Sequence, residues 1–207
     1  MTSSSPGCER PVTTTAAVLP AGLHERLADR YATPPRSYHT LEHAAAVAAR
    51  AADLGGDRPC LLAAWFHDAV YDPTADDNEA RSADLLLQWL PHDLDAPEAA
   101  RLVRLTATHD AEPDDERGGI LCDADLAVLG ADPEGYEAYR RSVRREYAHV
   151  DDEAWSVGRA AVLQRLLERP HIYRSPQAAK RWEASARRNL LVELRALRSG
   201  DPGTQGV

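Results

Sequence analysis

The chain is expected to be all-α, a single-domain helical bundle. Apolar residues recur at three- and four-residue spacing, period-two alternation is nearly absent, and Gly or Pro interrupts the periodic segments. A first helix is expected from Leu23 to Ala32, ended by Pro34 and Pro35. A second begins near His39 and runs through an Ala-rich stretch to about Leu54, where Gly55 and Gly56 stop it. Pro59 to Asp68 is apolar on nearly all sides, as a buried central helix is. Asp76 or Asp77 is placed to cap a helix reaching Leu90, and Pro91 closes it. Further helices fit 96–109, 117–129, 133–148, 152–168 and 176–198. Residues 1–16 and 199–207 read as disordered tails, leaving 17–198 as the folded domain.

Of the 207 residues, 43% are hydrophobic and 28% charged, the balance of an ordinary water-soluble protein. The formal net charge is -9 and the single lysine is Lys180, which argues against binding a nucleic-acid polymer. Small phosphate esters are not excluded, because a metal ion reverses the local sign of a pocket. Cys8, Cys60 and Cys122 have no C-x-x-C spacing, so neither a disulfide framework nor a thiolate zinc site follows. Cys60 and Cys122 read as small buried apolar side chains. With no run long enough to span a bilayer and no signal-like start, the expectation is a cytoplasmic protein without a membrane partner. Trp65, Trp89, Trp155 and Trp182 read as core anchors.

Four features carry chemistry. His39 and His43 stand four apart in Tyr38-His39-Thr40-Leu41-Glu42-His43, so both are expected to project from one helix face. His67 and Asp68 end the most apolar segment, where an unpaired carboxylate is costly and a coordinated one is not. In Asp123-Ala124-Asp125, the neighbours three and four residues away are slightly more apolar around Asp125, which favours it as the inward carboxylate. His109 shares a stripe with Leu102, Leu105 and Thr106. Two imidazoles and two carboxylates with room for water suit a divalent ion (Mn, Fe, Co, Ni, Zn or Mg). Such an ion polarises phosphoryl oxygens and supplies hydroxide at neutral pH.

The ordered pattern His43, then His67-Asp68, then Asp125 resembles the HD superfamily of metal-dependent phosphohydrolases. Tyr-His-x-x-x-His, Ala-x-Trp-Phe-His-Asp-x-Val-Tyr-Asp-Pro and Asp-Asn-Glu-x-x-Ser-Ala look like an uncharacterised branch of it. So do Asp-Ala-Asp-Leu-Ala-x-Leu-Gly, Val-Arg-x-Glu-Tyr at 143–147, Gly158-Arg159, and Glu183 with Arg187-Asn189-Leu190. Together these motifs span residues 38–190. The resemblance implies an HD-type helical domain and makes His43, His67, Asp68 and Asp125 the metal ligands. His109 is then a candidate ligand of a second ion.

Around that set, Asp72 and Glu79 are candidates for proton transfer, against plain roles in a turn and a first helical turn. His39 is a candidate phosphate contact or an outer hydrogen-bonding group. Arg144 is the favoured arginine for a substrate phosphate, with Arg145 and Arg187 behind it. The expected activity is metal-dependent hydrolysis of a small phosphorylated substrate, a phosphate ester or nucleotide. Two rivals share the scaffold: a di-iron oxygenase, which needs His109 and His39 as extra ligands, and a non-catalytic module that binds a nucleotide or metabolite. The long C-terminal helical stretch would support a homodimer.

Overall fold

The structure, a computed structural model, describes residues 17–32 and 36–199. Every regular element among them is helical: α1 (Leu23–Tyr31), α2 (Leu41–Asp53), α3 (Arg58–Phe66), α4 (Asn78–Trp89), α5 (Ala96–Leu105) and α6 (Glu116–Leu126). A 3-10 turn (Ala127–Gly130) follows, then α7 (Pro133–Glu146), α8 (Asp152–Glu168) and α9 (Pro176–Ala178). The chain ends in a π turn (Ala179–Glu183) and α10 (Ala184–Ser199). Side chains at the N-caps accept amide hydrogens: Thr40 opens α2, Asp115 α6, Asp132 α7, Asp151 α8 and Ser175 α9. Each such cap satisfies a donor that the first helical turn leaves free, at about 1 kcal/mol.

Two apolar cores form. The first gathers α1 to α6 around α3, whose Leu62, Trp65 and Phe66 are all 0% exposed. Truncating any of these to Ala leaves a cavity and costs about 2–5 kcal/mol. The second is built from the 3-10 turn, α7, α8 and α10, with Tyr173 at its edge. The segment after Ile120 joins the two: Leu121 and Ala124 lie in the first core, Leu126, Val128 and Leu129 in the second. Asp125 therefore falls at the seam. Gly130 allows this junction to close, since a Cβ there would stand 2.5 Å from Trp182 Cβ and 3.0 Å from its Cα.

The element order is the expected one, and several ends differ. Helix α2 starts at Leu41, not near His39, because Thr40 Oγ1 accepts from His43 N at 3.3 Å and ends the helix upstream. His39 and His43 therefore do not share a helical face. Helix α3 stops at Phe66, so His67 and Asp68 sit in the turn that leaves it. Helix α5 stops at Leu105 rather than 109, and His109 takes a left-handed φ of 50°. Asp77 occupies the N-cap of α4 without a side-chain cap bond. The segment expected as one helix over 176–198 is broken by the π turn. Trp155 lies against Tyr147 and under Arg144 rather than in either core. Pro34 and Pro35 and the expected tails lie outside the described residues, except Ser199, which belongs to α10. Among the described residues, no helix is long and apolar enough to cross a membrane.

Candidate metal centre

His43, His67, Asp68 and Asp125 meet where α2, the exit of α3 and the end of α6 converge. His43 Nε2 stands 3.2 Å from His67 Nε2, 3.1 Å from Asp125 Oδ1 and 3.6 Å from Asp68 Oδ2. His67 Nε2 stands 2.9 Å from Asp68 Oδ2 and 3.7 Å from Asp125 Oδ1. Both imidazoles are buried, and the two carboxylates are 13% and 14% exposed. Ligand atoms of His43, His67 and Asp68 all lie within 4.8 Å of one another. Nitrogen and oxygen ligands sit about 2.0–2.2 Å from zinc-like ions, so neighbouring donors around one octahedral ion are roughly 3 Å apart. The donor set and its spacing fit such an ion.

One of these atoms is left without a hydrogen bond. Asp68 Oδ2 is buried without any hydrogen-bond partner, although His67 Nε2 is 2.9 Å away. His43 Nε2 also stands 3.6 Å from that oxygen. His67 Nδ1 donates to the Ala64 carbonyl at 2.8 Å, which fixes the ring and leaves Nε2 to face the cluster. Burial pushes His43 below its usual range. Burial also acts to lower His67, but the charges of Asp68 and Asp125 outweigh it and lift the imidazole to about 10. Both carboxylates are held well below their usual range despite burial, chiefly by the His67 charge. The field that holds a proton on His67 is one that also holds a cation, and the two compete for one nitrogen.

The surrounding motifs brace these four residues. Arg36 donates to the carbonyls of His39, Asp68 and Ala69, and Arg30 to Ala69, so two guanidinium groups pin the turn that carries His67-Asp68. Asn78 bonds both backbone groups of Asp72, and Ser82 bonds both of Val70, fixing the other side of that turn. At the Asp125 end, Tyr173 donates to the Leu126 carbonyl, and Asn189 spans the carbonyls of Leu129 and Ala131. Glu183 accepts from the amides of Ile172 and Tyr173 and pairs with Arg187.

The remaining candidates take varied positions. Asp123 is fully buried and accepts the amides of Arg174 and Ser175, both at 2.7 Å, away from the cluster. His109 reaches the cluster from beyond α5: its Nε2 lies 2.7 Å from Asp125 Oδ2, the oxygen turned away from His43. Arg169 holds that strained turn by donating to the carbonyls of His109 and Thr108. His39 lies in the loop before α2, with Nδ1 2.6 Å from Glu146 Oε2. Asp72 is exposed and its Oδ1 accepts from Thr74 N and Oγ1, so its hydrogen bonds close a turn and do not reach the cluster. Glu79 is half-buried in the first turn of α4. Arg144 closes the α7–α8 turn through Tyr147 O, Val150 O and Asp152, and Arg187 is spent on Glu183 and three carbonyls. The structure does not bring either arginine to the cluster. Burial pushes the Cys60 and Cys122 thiols up to about 12, and neither is a ligand.

Sequence reasoning missed Glu146, Arg36 and Arg50. Arg50 lies two turns beyond His43 on the same stripe of α2, and its half-buried guanidinium makes no hydrogen bond or ion pair among the described residues. Its charge acts on Tyr38, whose ring centroid is 4.6 Å from that of His43. Its seven-residue spacing from His43 was the available signal. No protein-family model, no curated protein and no solved structure matches this chain.

Proposed function

We propose that this protein is a divalent-metal-dependent phosphohydrolase of the HD type, acting on a small phosphate ester or nucleotide. One observation carries the reading: Asp68 Oδ2 is buried and makes no hydrogen bond, although it stands 2.9 Å from His67 Nε2 and 3.6 Å from His43 Nε2, with Asp125 Oδ1 3.1 Å from His43 Nε2. Uncompensated, a buried carboxylate in that position is costly, and coordination offsets the cost.

His43, His67, Asp68 and Asp125 would hold the ion. When bound, it supplies Lewis-acid polarisation of a phosphoryl oxygen and acidifies water. The chain's residues do the rest. His67 is kept in one orientation by Ala64 O, and Asp125 by His109, so the donor atoms are fixed before the ion arrives. Arg50, uncommitted to any carboxylate, is the cation best placed to counter substrate charge, whereas Arg144 is tied to its own turn. Spending His109 on Asp125 and His39 on Glu146 favours a single ion, and so favours hydrolysis over di-iron oxygen chemistry.

The test is a screen of p-nitrophenyl phosphate and nucleotides with manganese, magnesium, zinc or cobalt, run beside an Asp68→Ala variant. Metal-dependent release of phosphate that disappears in the variant is expected. Turnover undiminished in the variant would overturn the assignment.

A further inference from the structure

We propose that Glu146 and His39 form a carboxylate–imidazole dyad whose Nε2 edge contacts a phosphate-like oxyanion beside the metal centre, with Glu146 as the positioning residue. This deepens the phosphohydrolase reading and rests on it. Glu146 is 3% exposed although it ends a charged helix. Its Oε1 accepts the amides of Ser37, Tyr38 and His39 at 2.8, 2.7 and 3.1 Å, and its Oε2 faces His39 Nδ1 at 2.6 Å and the Tyr71 hydroxyl at 3.0 Å. The carboxylate thus accepts from the loop leading into α2 and from Tyr71, which follows α3. Tyr71 also stacks on the His39 ring, centroids 4.2 Å apart at 28°.

A histidine serving only to tie two segments together has no need of such restraint. Here one ring edge is fixed by a carboxylate and one face by an aromatic ring. The remaining edge, Nε2, has no hydrogen-bond partner among the described residues, and the side chain is 22% exposed. The ring lies 6.0 Å, centroid to centroid, from His43, so the dyad adjoins a candidate ligand. The Glu146 carboxylate holds the proton on Nδ1 and, as an ion pair, favours the imidazolium, whose Nε2 also donates; a donor beside a divalent ion recognises an oxygen of a tetrahedral oxyanion.

The experiment measures inorganic phosphate binding by calorimetry to manganese-loaded wild type, His39→Ala and Glu146→Gln, with metal content determined in each sample. Glu146→Gln retains an oxygen for the three amides, so the loop keeps its anchor. His39→Ala is expected to weaken phosphate roughly tenfold or more, the loss of a hydrogen bond to a charged group, with manganese retained. Glu146→Gln is expected to weaken it less, again with manganese retained. Wild-type phosphate affinity in both variants overturns the dyad and leaves the metal centre standing. If wild type takes up no manganese, the phosphohydrolase reading falls. Phosphate is then titrated into the metal-free protein while the ¹⁵N resonances of His39 are followed: a shift supports the dyad and a silent His39 overturns it.

Discussion

Arg159 and Glu193 in the second core, and His67 and Asp68 at the exit of α3, are both buried pairs of opposite character 2.9 Å apart, yet only the first pair is hydrogen-bonded. The guanidinium of Arg159 meets Glu193 through two nitrogens, Tyr136 donates to the same carboxylate, and Arg159 also reaches the Tyr139 hydroxyl. The pair is 8% and 3% exposed, and its partners are spent on one another. Only Arg140 Nε, 3.5 Å from Glu193, lacks a bond there. In the other cluster His43 and His67 meet at 3.2 Å through their Nε2 atoms, yet Asp68 Oδ2 makes no hydrogen bond although both imidazoles stand within 3.6 Å of it. One arrangement closes on itself and locks a core, while the other leaves a buried carboxylate oxygen without a bond. Buried charge alone does not point to a functional site; a polar atom left unsatisfied inside is the better pointer.

The comparison can be broken most forcefully at Arg159. Arg159→Ala strands the Glu193 carboxylate and is expected to cost about 3–5 kcal/mol in denaturant unfolding while leaving metal stoichiometry unchanged. Loss of metal with stability intact would mean that the two clusters have been assigned the wrong way round. Next in size is His109→Ala, which frees Asp125 Oδ2. Metal affinity should fall by roughly 10- to 100-fold with the number of ions per chain unchanged. A drop from two ions to one would instead make His109 a ligand.

A smaller effect sharpens the contrast through pH. Burial raises the Glu146 pKa, but His39 and the loop amides outweigh it and hold the carboxyl at about 2, against the ordinary 4.5. Because the folded value is depressed, its stabilisation is present above about 4.5 and is lost as pH falls toward 2. Glu146→Gln should flatten the acid branch of the thermal-stability profile in that window, and an unchanged slope would remove Glu146 from the loop's anchoring. The smallest effect belongs to an exposed pair. Asp84→Ala breaks its contact with Arg104, where the side chains are 70% and 44% exposed, and should cost under about 1 kcal/mol.

Helix order was legible because the 3.6-residue periodicity follows directly from which faces the two cores bury. The four clustered residues were legible too, from an ordered pattern and from the cost of leaving His67-Asp68 unpaired inside apolar surroundings. Helix ends were not. Reading His39 and His43 as one helical face required the helix to continue through Thr40, whose hydroxyl caps it; a threonine ahead of an apolar run was the overlooked stop signal. Glu146 could not be found locally, since its partners lie 107 to 109 residues away, although it falls within the Val-Arg-x-Glu-Tyr motif. Arg144 was favoured for its flanking aromatics, yet a helix C-terminus offers free carbonyls, and its guanidinium binds those of its own turn.

Elemental analysis of wild type and Asp68→Ala after reconstitution with manganese bears most directly on the open cluster. About one equivalent should remain on wild type after desalting and none on the variant. Equal metal in both proteins, or none in either, would contradict a metal centre at His43, His67, Asp68 and Asp125.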